Sequence, residues 1–370
     1  MKRFLSLAFF LVAAAPLFAA ELPPTLPLGS PAPDFKLKGV DGKTHQLREY
    51  KSSKVLVVVF TCVHCPTAQY YEERLKKIVT DYKSKSITLV AISPNDPRAV
   101  RLDELGYTDL GDSFEDMKIR AKHQKFNFPF LYDGDTEEVS RAYGPVATPH
   151  AFVFDAERKL RYVGRIDDNE IPGREKVHDL RNAIDDLLAG REVAVKQTKT
   201  FGCSIKWGGK LDGVKSYLAK LAAEPVALMK IDATGLKELR KNDSGKLRMV
   251  NFWATWCGPC VTEFPELITI NRMYRHREFE MVTVSANEPS EEKKVLAFLQ
   301  KQQSSGKNLL FASDDKYPLI EAFDPKWEGA LPYTVLIAPG GEIVYKQMGE
   351  IDPLELKRAI VKNLKGYHTD

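Results

Sequence analysis

The chain has 370 residues, of which 44% are hydrophobic and 28% are charged, a composition typical of soluble globular proteins and long enough for two domains. Its formal net charge is only +4 and no block of basic residues stands out, which argues against a nucleic-acid-binding protein. The 5 cysteines form two CxxC pairs and one further position, Cys203. Pairs so close in sequence staple little of the chain, so a framework of structural disulfides is not expected.

Residues 1–20 have the layout of a secretory signal peptide, with a basic start, an apolar run and small residues before Glu21. We expect cleavage near Ala19 or Ala20, and an uncleaved membrane anchor remains the alternative. No later apolar run is long enough to span a bilayer. The sequence therefore predicts an exported protein, periplasmic or extracellular, without a transmembrane segment once the leader is cleaved.

Alternating strand and helix patterns in residues 21–205 predict an α/β domain. Two short strands are expected around the turn at Asp41 and Gly42, and residues 95–125 read as a polar insertion with its own short helix. The other predicted elements are strands at 55–60, 87–93, 130–133, 151–154 and 160–165, and helices at 68–82 and 177–188. The strand at 55–60 runs directly into the first CxxC pair, Cys62 and Cys65.

The second half, residues 206–370, repeats this arrangement around the second CxxC pair, Cys257 and Cys260. Predicted strands are 226–231, 247–253, 279–285, 309–311, 333–337 and 343–348, and predicted helices are 214–222, 236–241, 261–275, 288–302 and 354–365. The second pair thus stands where a strand ends and a helix begins. Because N–H groups and the macrodipole at a helix N-terminus favour negative charge, Cys257 is the expected nucleophile and Cys260 the thiol that resolves a mixed disulfide. A structural disulfide or half of a zinc site are the alternatives.

With Trp256, the second pair forms WCGPC, the motif of the thioredoxin superfamily, and the stretch NFWATWCGPCVTEFP resembles the TlpA and ResA branch of exported thiol-disulfide oxidoreductases. The resemblance implies a thioredoxin-like domain in which Pro332 is the cis-proline facing the pair. It also implies a role for Glu263, which can accept the proton of Cys260 if it is buried with a raised pKa. The alternative is an ordinary glutamate on an exposed helix face. Cytoplasmic thioredoxin has a buried aspartate where this chain has Asn251, which cannot titrate.

The first half resembles the redoxin branch that includes AhpC/TSA proteins, through SPAPDF, a CxxC pair after a strand, and Thr148-Pro149 before a strand. The implied fold is α/β, with two thioredoxin-like domains, each a central mixed β-sheet flanked by helices, and with Pro149 as the cis-proline of the first domain. The peroxiredoxin pattern matches only in part, because Cys62 occupies the position expected for its threonine. Peroxide reduction by Cys65 therefore remains an alternative.

Two histidines accompany the first pair. His64 lies inside the CxxC loop, as in the strongly oxidising DsbA-like proteins, and is either a group that stabilises the thiolate or a solvent-facing loop residue. His150 follows Pro149, and together with Cys62 and Cys65 it offers a soft site suited to Cu(I) or zinc. That arrangement resembles Sco-type copper proteins, whose cysteines are, however, three residues apart. Metal binding by this set is an alternative to redox exchange.

The segment FGCSIKWGGK resembles the tail of redoxin domains with a motif close to TCVHCP, which assigns it to the first domain. Within it, Cys203 is a third redox thiol able to attack the first pair, a buried unpaired cysteine that packs, or a thiol that pairs with the second domain.

These observations predict an enzyme, an exported thiol-disulfide oxidoreductase that exchanges disulfides with client proteins and an unidentified redox donor or acceptor. It needs no cofactor beyond its redox-active disulfides. Relatives of the TlpA and ResA type usually reduce their clients, so reduction is expected at the second pair, whereas His64 favours oxidation at the first. A relay of electrons between the two pairs is a further hypothesis.

Overall fold

Two separate mixed β-sheets form the centre of the structure, a computed structural model that describes residues 22–368. The predicted signal peptide lies outside the described residues. The first sheet has the strand order β2-β1-β5-β4-β3-β7-β8, and a two-stranded ladder joins β6 to β9. The strands of this half are β1 Lys36–Gly39, β2 Thr44–Gln46, β3 Val55–Phe60, β4 Ile87–Ser93, β5 Phe130–Tyr132, β6 Ala147–Thr148, β7 His150–Phe154, β8 Leu160–Gly164 and β9 Cys203–Ser204. Its helices are α1 Pro66–Asp81, α2 Phe114–His123, α3 Glu138–Tyr143 and α4 Asp179–Leu188.

Strand β3 is buried on both faces because helices cover both sides of the first sheet. Its odd-numbered side chains, such as Val57, pack with Tyr71 of α1 and Ile184 of α4. Its even-numbered side chains pack on the other side with Tyr143 of α3. This alternation decides which side chains of the neighbouring strand β7 share a face with helix α1.

The second sheet has the order β10-β13-β12-β11-β14-β15, in which β14 runs antiparallel to a parallel core of β10 to β13 and β15 pairs antiparallel to β14. Its strands are β10 Met229–Ile231, β11 Leu247–Trp253, β12 Phe279–Ser285, β13 Lys307–Phe311, β14 Tyr333–Ile337 and β15 Ile343–Met348. The helices of this half are α5 Leu211–Ala222, α6 Ala233–Lys241, α7 Gly258–Tyr274, α8 Glu292–Lys301, α9 Tyr317–Phe323 and α10 Pro353–Asn363. Helices α7, α8 and α10 cover one face of the sheet, and α6 and α9 cover the other.

The predicted fold class is confirmed, and so are most predicted elements, with bounds that agree within a few residues. Strand β10 is shorter than expected because residues 226–228 precede its pairing with β13. The short helices α3 and α9 were not predicted. The predicted helix at 288–302 begins as a separate 3-10 turn, Pro289–Glu291.

Residues 196–210, called the tail below, fold back onto the first domain. Gln197 bridges to Val163, strand β9 pairs with β6, and Trp207 is buried beneath Arg141. The predicted assignment of this segment to the first domain therefore agrees with its contacts. Residues 206–210, which the predicted boundary gives to the second domain, also contact the first, and the boundary at 205/206 itself stays a prediction.

The insertion at 95–125 connects the two domains. Its 3-10 turn contributes Leu102 and Leu105 to the core around α7. Tyr274, the last residue of α7, donates a hydrogen bond of 2.7 Å to the carbonyl of Thr108. Among residues 22–368, none of the helices combines the length and the apolar character needed to cross a bilayer.

Candidate active sites

The second pair stands at the junction that the sequence predicts. Strand β11 ends at Trp253, Cys257 caps the N-terminus of α7, and a disulfide joins Cys257 to Cys260. Cys257 Sγ accepts a hydrogen bond from the Cys260 amide at 3.3 Å. Cys257 is 7% exposed and Cys260 is fully buried, so Cys257 is the more accessible sulfur, as expected. A helix N-terminus stabilises a thiolate at this position.

An exposed aromatic surface lies beside the second pair. Trp256 is 58% exposed, and the Nζ of Lys316 lies 5.5 Å from the centroid of its ring. Tyr317, next to Lys316, is 82% exposed. Large exposed aromatic side chains are typical of surfaces that bind other proteins.

The Leu331-Pro332 bond is cis, as the family resemblance implies.

Glu263 is buried one helical turn after Cys260, so the alternative of an exposed helix glutamate is wrong. Its carboxylate accepts hydrogen bonds from the Asn251 side-chain amide at 3.1 Å and from the Ile351 backbone amide at 2.9 Å. Burial raises the pKa of Glu263 above its ordinary value, and these two hydrogen bonds only partly oppose that effect. Within the described part of the chain, Asn251 Oδ1 has no hydrogen-bond partner. The sequence did not indicate Ile351, which lies 88 residues away.

The first pair repeats this position with different surroundings. Cys65 caps the N-terminus of α1 and accepts a hydrogen bond from the Ala68 amide at 3.4 Å. Cys62 Sγ lies 3.1 Å from the Thr148 hydroxyl, and Cys65 Sγ lies 3.5 Å from the Thr148 carbonyl. Both cysteines are free thiols, and the Thr148-Pro149 bond is cis. The Thr148-Pro149 segment between β6 and β7 thus faces the first pair, as the resemblance implies.

A buried ion pair lies behind the first pair. His64 is only 1% exposed, so the alternative of a solvent-facing loop histidine is wrong. Its Nδ1 lies 2.6 Å from Oδ2 of Asp112, whose Oδ1 accepts hydrogen bonds from the Val63 and His64 amides at 2.9 Å. Asn95 donates a further hydrogen bond of 2.6 Å to Asp112.

Asp112 and His64 hold each other in the charged state. Burial alone raises the pKa of Asp112, but the charge and hydrogen bond of His64, with smaller help from Asn95, lower it to about 2. Burial alone lowers the pKa of His64, but Asp112 outweighs it and the net shift is upward. His64 Nε2 has no partner among the described residues. Asp112 was missed in the sequence because it lies 48 residues from His64, in an insertion without a recognisable motif.

The two thiols of the first pair have opposite acidities. Burial raises the pKa of Cys62 well above its ordinary value, and the hydrogen bond from Thr148 does not compensate. Burial acts in the same direction on Cys65, but hydrogen bonds with Cys203 and Cys62, the charge of His64 and the Ala68 amide together lower its pKa well below the ordinary value. Cys65 is therefore the more acidic thiol of this pair.

Cys203 lies against the first pair rather than in a separate part of the core. It is partly exposed and packs against the cluster of Cys62, Cys65 and Ala68. The hydrogen bond with Cys65 and burial raise the pKa of Cys203. The structure thus places Cys203 in contact with the first pair, and the alternative of a fully buried cysteine that only packs is wrong.

The proposed metal set of Cys62, Cys65 and His150 is not assembled. His150 pairs with Phe60 of β3 and lies on the same sheet face as Phe152, opposite the face that helix α1 covers. The centroid of its ring lies 4.7 Å from that of Phe152. Its Nδ1 accepts a hydrogen bond from the Val146 amide at 3.3 Å. Burial lowers its pKa to about 4.

Within residues 22–368, the potential metal-ligand atoms that lie together at the first pair are those of Cys62, His64 and Asp112. These atoms are all within 4.8 Å of one another. The oxygens of Asp112 already accept the hydrogen bonds described above. A carboxylate engaged in this way does not fit the soft donor set that Cu(I) prefers.

Comparison with protein families gives two matches along the chain. Residues 28–163 match the AhpC/TSA family, and residues 230–363 match the Redoxin family. Each match covers one of the two sheets described above and one CxxC pair.

Curated relatives with sequence similarity are thiol-disulfide oxidoreductases named ResA. The protein from Bacillus subtilis is 30% identical over 115 residues, 31% of this chain and 60% of the relative. The protein from Halalkalibacterium halodurans is 32% identical over 133 residues, 36% of this chain and 70% of the relative. The chain thus spans about two thirds of the length of these relatives.

Solved structures with similarity include two proteins without an assigned activity in their descriptions. A hypothetical protein, SMc02350 from Sinorhizobium meliloti, is 34% identical, covers 50% of this chain and 96% of its own, and has a TM-score of 0.44. An uncharacterized conserved protein from Geobacillus kaustophilus is 38% identical, covers 49% of this chain and 92% of its own, and also has a TM-score of 0.44.

Proposed function

Since this chain belongs to the family of thiol-disulfide oxidoreductases that includes ResA, we propose that it is an enzyme that reduces disulfides of client proteins through Cys257 and Cys260. The observation that carries the proposal is the position of this pair. Cys257 caps a long helix, is the more accessible sulfur of the two, and adjoins the exposed ring of Trp256.

In the reduced enzyme, the Cys257 thiolate attacks one sulfur of a client disulfide and forms a mixed disulfide, while the other client sulfur leaves as a thiolate. Cys260 then loses its proton and attacks Cys257 Sγ, which releases the reduced client and forms the Cys257–Cys260 disulfide. Two electrons pass to the client, and an external dithiol must restore the reduced pair. Burial of Cys260 protects the resolving thiol from other oxidants.

Glu263 supplies the base for the second step. A carboxylate with a raised pKa is a better proton acceptor than an exposed one, and Glu263 lies one turn from Cys260 on the same buried side of α7. Asn251, which donates to the carboxylate, fixes its orientation.

The first pair supplies a second exchange site in the same chain. Cys65 is the thiolate there, stabilised by the Ala68 amide and by His64, whose own charge depends on Asp112. A thiolate stabilised in this way is a good leaving group, which favours reduction of the pair over formation of its disulfide and makes this site the more oxidising of the two.

A second candidate activity, peroxide reduction at Cys65, is favoured by two observations: the low pKa of this thiol at a helix N-terminus and the AhpC/TSA match over residues 28–163. Its test is peroxide consumption by the reduced protein and by Cys65→Ser. Consumption that is unchanged in Cys65→Ser would exclude this activity.

Export is part of the proposal and is supported by the signal-peptide layout of residues 1–20. It is tested by fractionating cells that express the full chain and by determining the N-terminus of the purified protein.

The main proposal is tested with a protein disulfide such as insulin, an electron donor, and the full chain. Cys257→Ser should abolish reduction, whereas Thr269→Ala, a change at a half-buried position further along α7, should leave it intact. Reduction potentials determined separately for the two pairs assign the direction. A second pair more oxidising than glutathione would contradict a reductase.

A further inference from the structure

The three thiols of the first domain form one chain of contacts with Cys65 in the middle. Cys62 and Cys65 lie in one buried cluster, Cys203 packs against it, and Cys65 interacts with both of the other thiols. Cys62 follows strand β3, Cys65 caps helix α1, and Cys203 arrives from the tail. A single sulfur in contact with two others can form a disulfide with either of them.

The tail holds Cys203 against the first pair through a local structure that few sequences allow. Cys203 pairs in register with Thr148, the residue that also contacts both sulfurs of the pair. Gly202 has a φ of +130°, and a Cβ on it would lie 2.1 Å from the Thr148 carbonyl oxygen. Only glycine fits this close approach of two backbones.

The segment after Cys203 is anchored as firmly. Ile205 and Trp207 are buried, and the Lys206 amide donates to the Asn95 side chain at 2.9 Å. The Asp96 amide donates back to the Lys206 carbonyl at 2.9 Å. Contacts on both sides therefore keep Cys203 at the pair.

The three thiols also differ in accessibility. Cys62 is 3% exposed and Cys65 is fully buried, whereas Cys203 is partly exposed. An external dithiol therefore meets Cys203 before it can reach either cysteine of the first pair.

We propose that Cys203 is a redox thiol of the first domain, which forms a disulfide with Cys65 as an alternative to the Cys62–Cys65 disulfide and is the sulfur that an external dithiol attacks. The proposal rests on the thiol exchange proposed above for this chain. An external dithiol would then react first with the tail of the first domain and not with its CxxC motif.

A thiolate of the external dithiol attacks Cys203 Sγ, the Cys65–Cys203 bond breaks, and Cys65 leaves as a thiolate. The second thiol of the external dithiol loses its proton and attacks the other sulfur of the same molecule, the one bonded to Cys203. Cys203 is released as a thiolate and takes up a proton. The external dithiol becomes a disulfide, and Cys65 and Cys203 gain its two electrons. Stabilisation of the departing Cys65 by the Ala68 amide favours this direction of attack.

The test uses the full chain with Cys257→Ser and Cys260→Ser, so that the outcome does not depend on reduction of clients by the second pair. The reduced protein is oxidised with oxidised glutathione, remaining thiols are alkylated, and tryptic peptides are mapped by mass spectrometry. Cys62 and Cys65 lie in the peptide 55–74, and Cys203 lies in the peptide 200–206.

In this background, Cys62→Ser should yield peptide 55–74 cross-linked to peptide 200–206, and Cys65→Ser should yield at least tenfold less of it. Reduction of the oxidised protein by dithiothreitol should slow at least tenfold in Cys203→Ser. Fragmentation of the cross-linked peptide from the protein that retains all three thiols assigns the bond to Cys65 or Cys62 without a variant that must fold. Absence of the cross-link in Cys62→Ser, equal cross-linking in Cys65→Ser, or a bond assigned to Cys62 would each overturn the proposal.

Discussion

Two buried carboxylates lie near the two cysteine pairs, and their neighbours give them opposite charge behaviour. Asp112 faces the imidazole of His64 and stays ionised, with a pKa of about 2. Glu263 faces an amide side chain and a backbone N–H, without a cation, and burial raises its pKa. Asp112 therefore acts as a fixed charge, and Glu263 is the group that exchanges protons.

Replacing Glu263 by Gln should slow disulfide reduction by about 100-fold if the carboxylate is the base for Cys260, since a positioned base contributes at least that much. In the parent protein, activity should rise with pH as Glu263 ionises above its ordinary value of 4.5. This rise of activity with pH should be missing in Glu263→Gln. The measurement is the pH profile of kcat/KM, with Glu266→Gln on the same helix as the control; an unchanged profile would exclude the role.

Replacing Asp112 by Asn should lower the free energy of unfolding at neutral pH by about 3 kcal/mol, because it leaves His64 buried without its partner. The folded-state pKa of Asp112 lies below 3.8, so its contribution is present above pH 3.8 and is lost as the pH falls towards 2. The pKa of His64 is raised, so its contribution is present below 6.5 and is lost as the pH rises through the raised value. The loss of stability caused by Asp112→Asn should therefore be largest between pH 3.8 and pH 6.5.

Urea unfolding at several pH values measures this deficit, and Glu115→Gln in the same insertion is the control. Glu115 is exposed, so its replacement should change stability by no more than about 0.5 kcal/mol. The alkylation rate of Cys65 as a function of pH should show a raised pKa in Asp112→Asn, because His64 loses its charge. Equal stability of the two variants would contradict the paired state.

At the scale of elements, the parts read correctly from the sequence are those with a strong local signal. Strand β3 is an uninterrupted apolar run and β11 is a mainly apolar one, each just before a CxxC motif, and their bounds agree with the prediction. Helix α9 was missed because it is only 7 residues long and contains a proline near its start. Asp112 was missed, and His150 was wrongly placed beside the first pair, for a different reason. Both depend on which segments fold against each other and on which face of β7 a side chain lies, and neither is a local property of the sequence.

The tail is the element whose role depends most on a single residue. Gly202→Ala should lower the free energy of unfolding by about 1–3 kcal/mol, because its Cβ would overlap the Thr148 carbonyl at a φ that other residues rarely adopt. It should also abolish the cross-link between peptides 55–74 and 200–206. Gly209→Ala is a matched control in the same tail, since a Cβ there has nothing within 4 Å. Loss of the cross-link in both variants, or in neither, would show that Gly202 does not position Cys203.

For the whole molecule, the contacts between the domains bear on the hypothesis of an electron relay. The first domain meets α7 at its C-terminal end, where Tyr274 and Arg277 donate to the carbonyls of Thr108 and Gly106. The second pair lies at the opposite end of α7. The 14 residues from Cys260 to Tyr274 correspond to about 21 Å of helix at about 1.5 Å per residue. Thiol exchange requires sulfur atoms in contact, and this arrangement keeps the two pairs apart.

Transfer between the pairs should therefore take place between molecules, and its rate should rise in proportion to protein concentration. One variant keeps only the second pair, in the reduced state, and another keeps only Cys62, Cys65 and Cys203, in the oxidised state. Mixing them gives the second-order rate, which is compared by stopped-flow fluorescence with the rate in the full chain after selective reduction of its second pair. Similar rates that depend on concentration are expected, because covalent linkage does not bring the sulfurs together. A rate in the full chain that does not change over a 50-fold dilution would instead require the domains to separate at Tyr274 and Arg277 and to reorient. In that case, Tyr274→Phe and Arg277→Ala, which remove these hydrogen bonds, should accelerate the transfer.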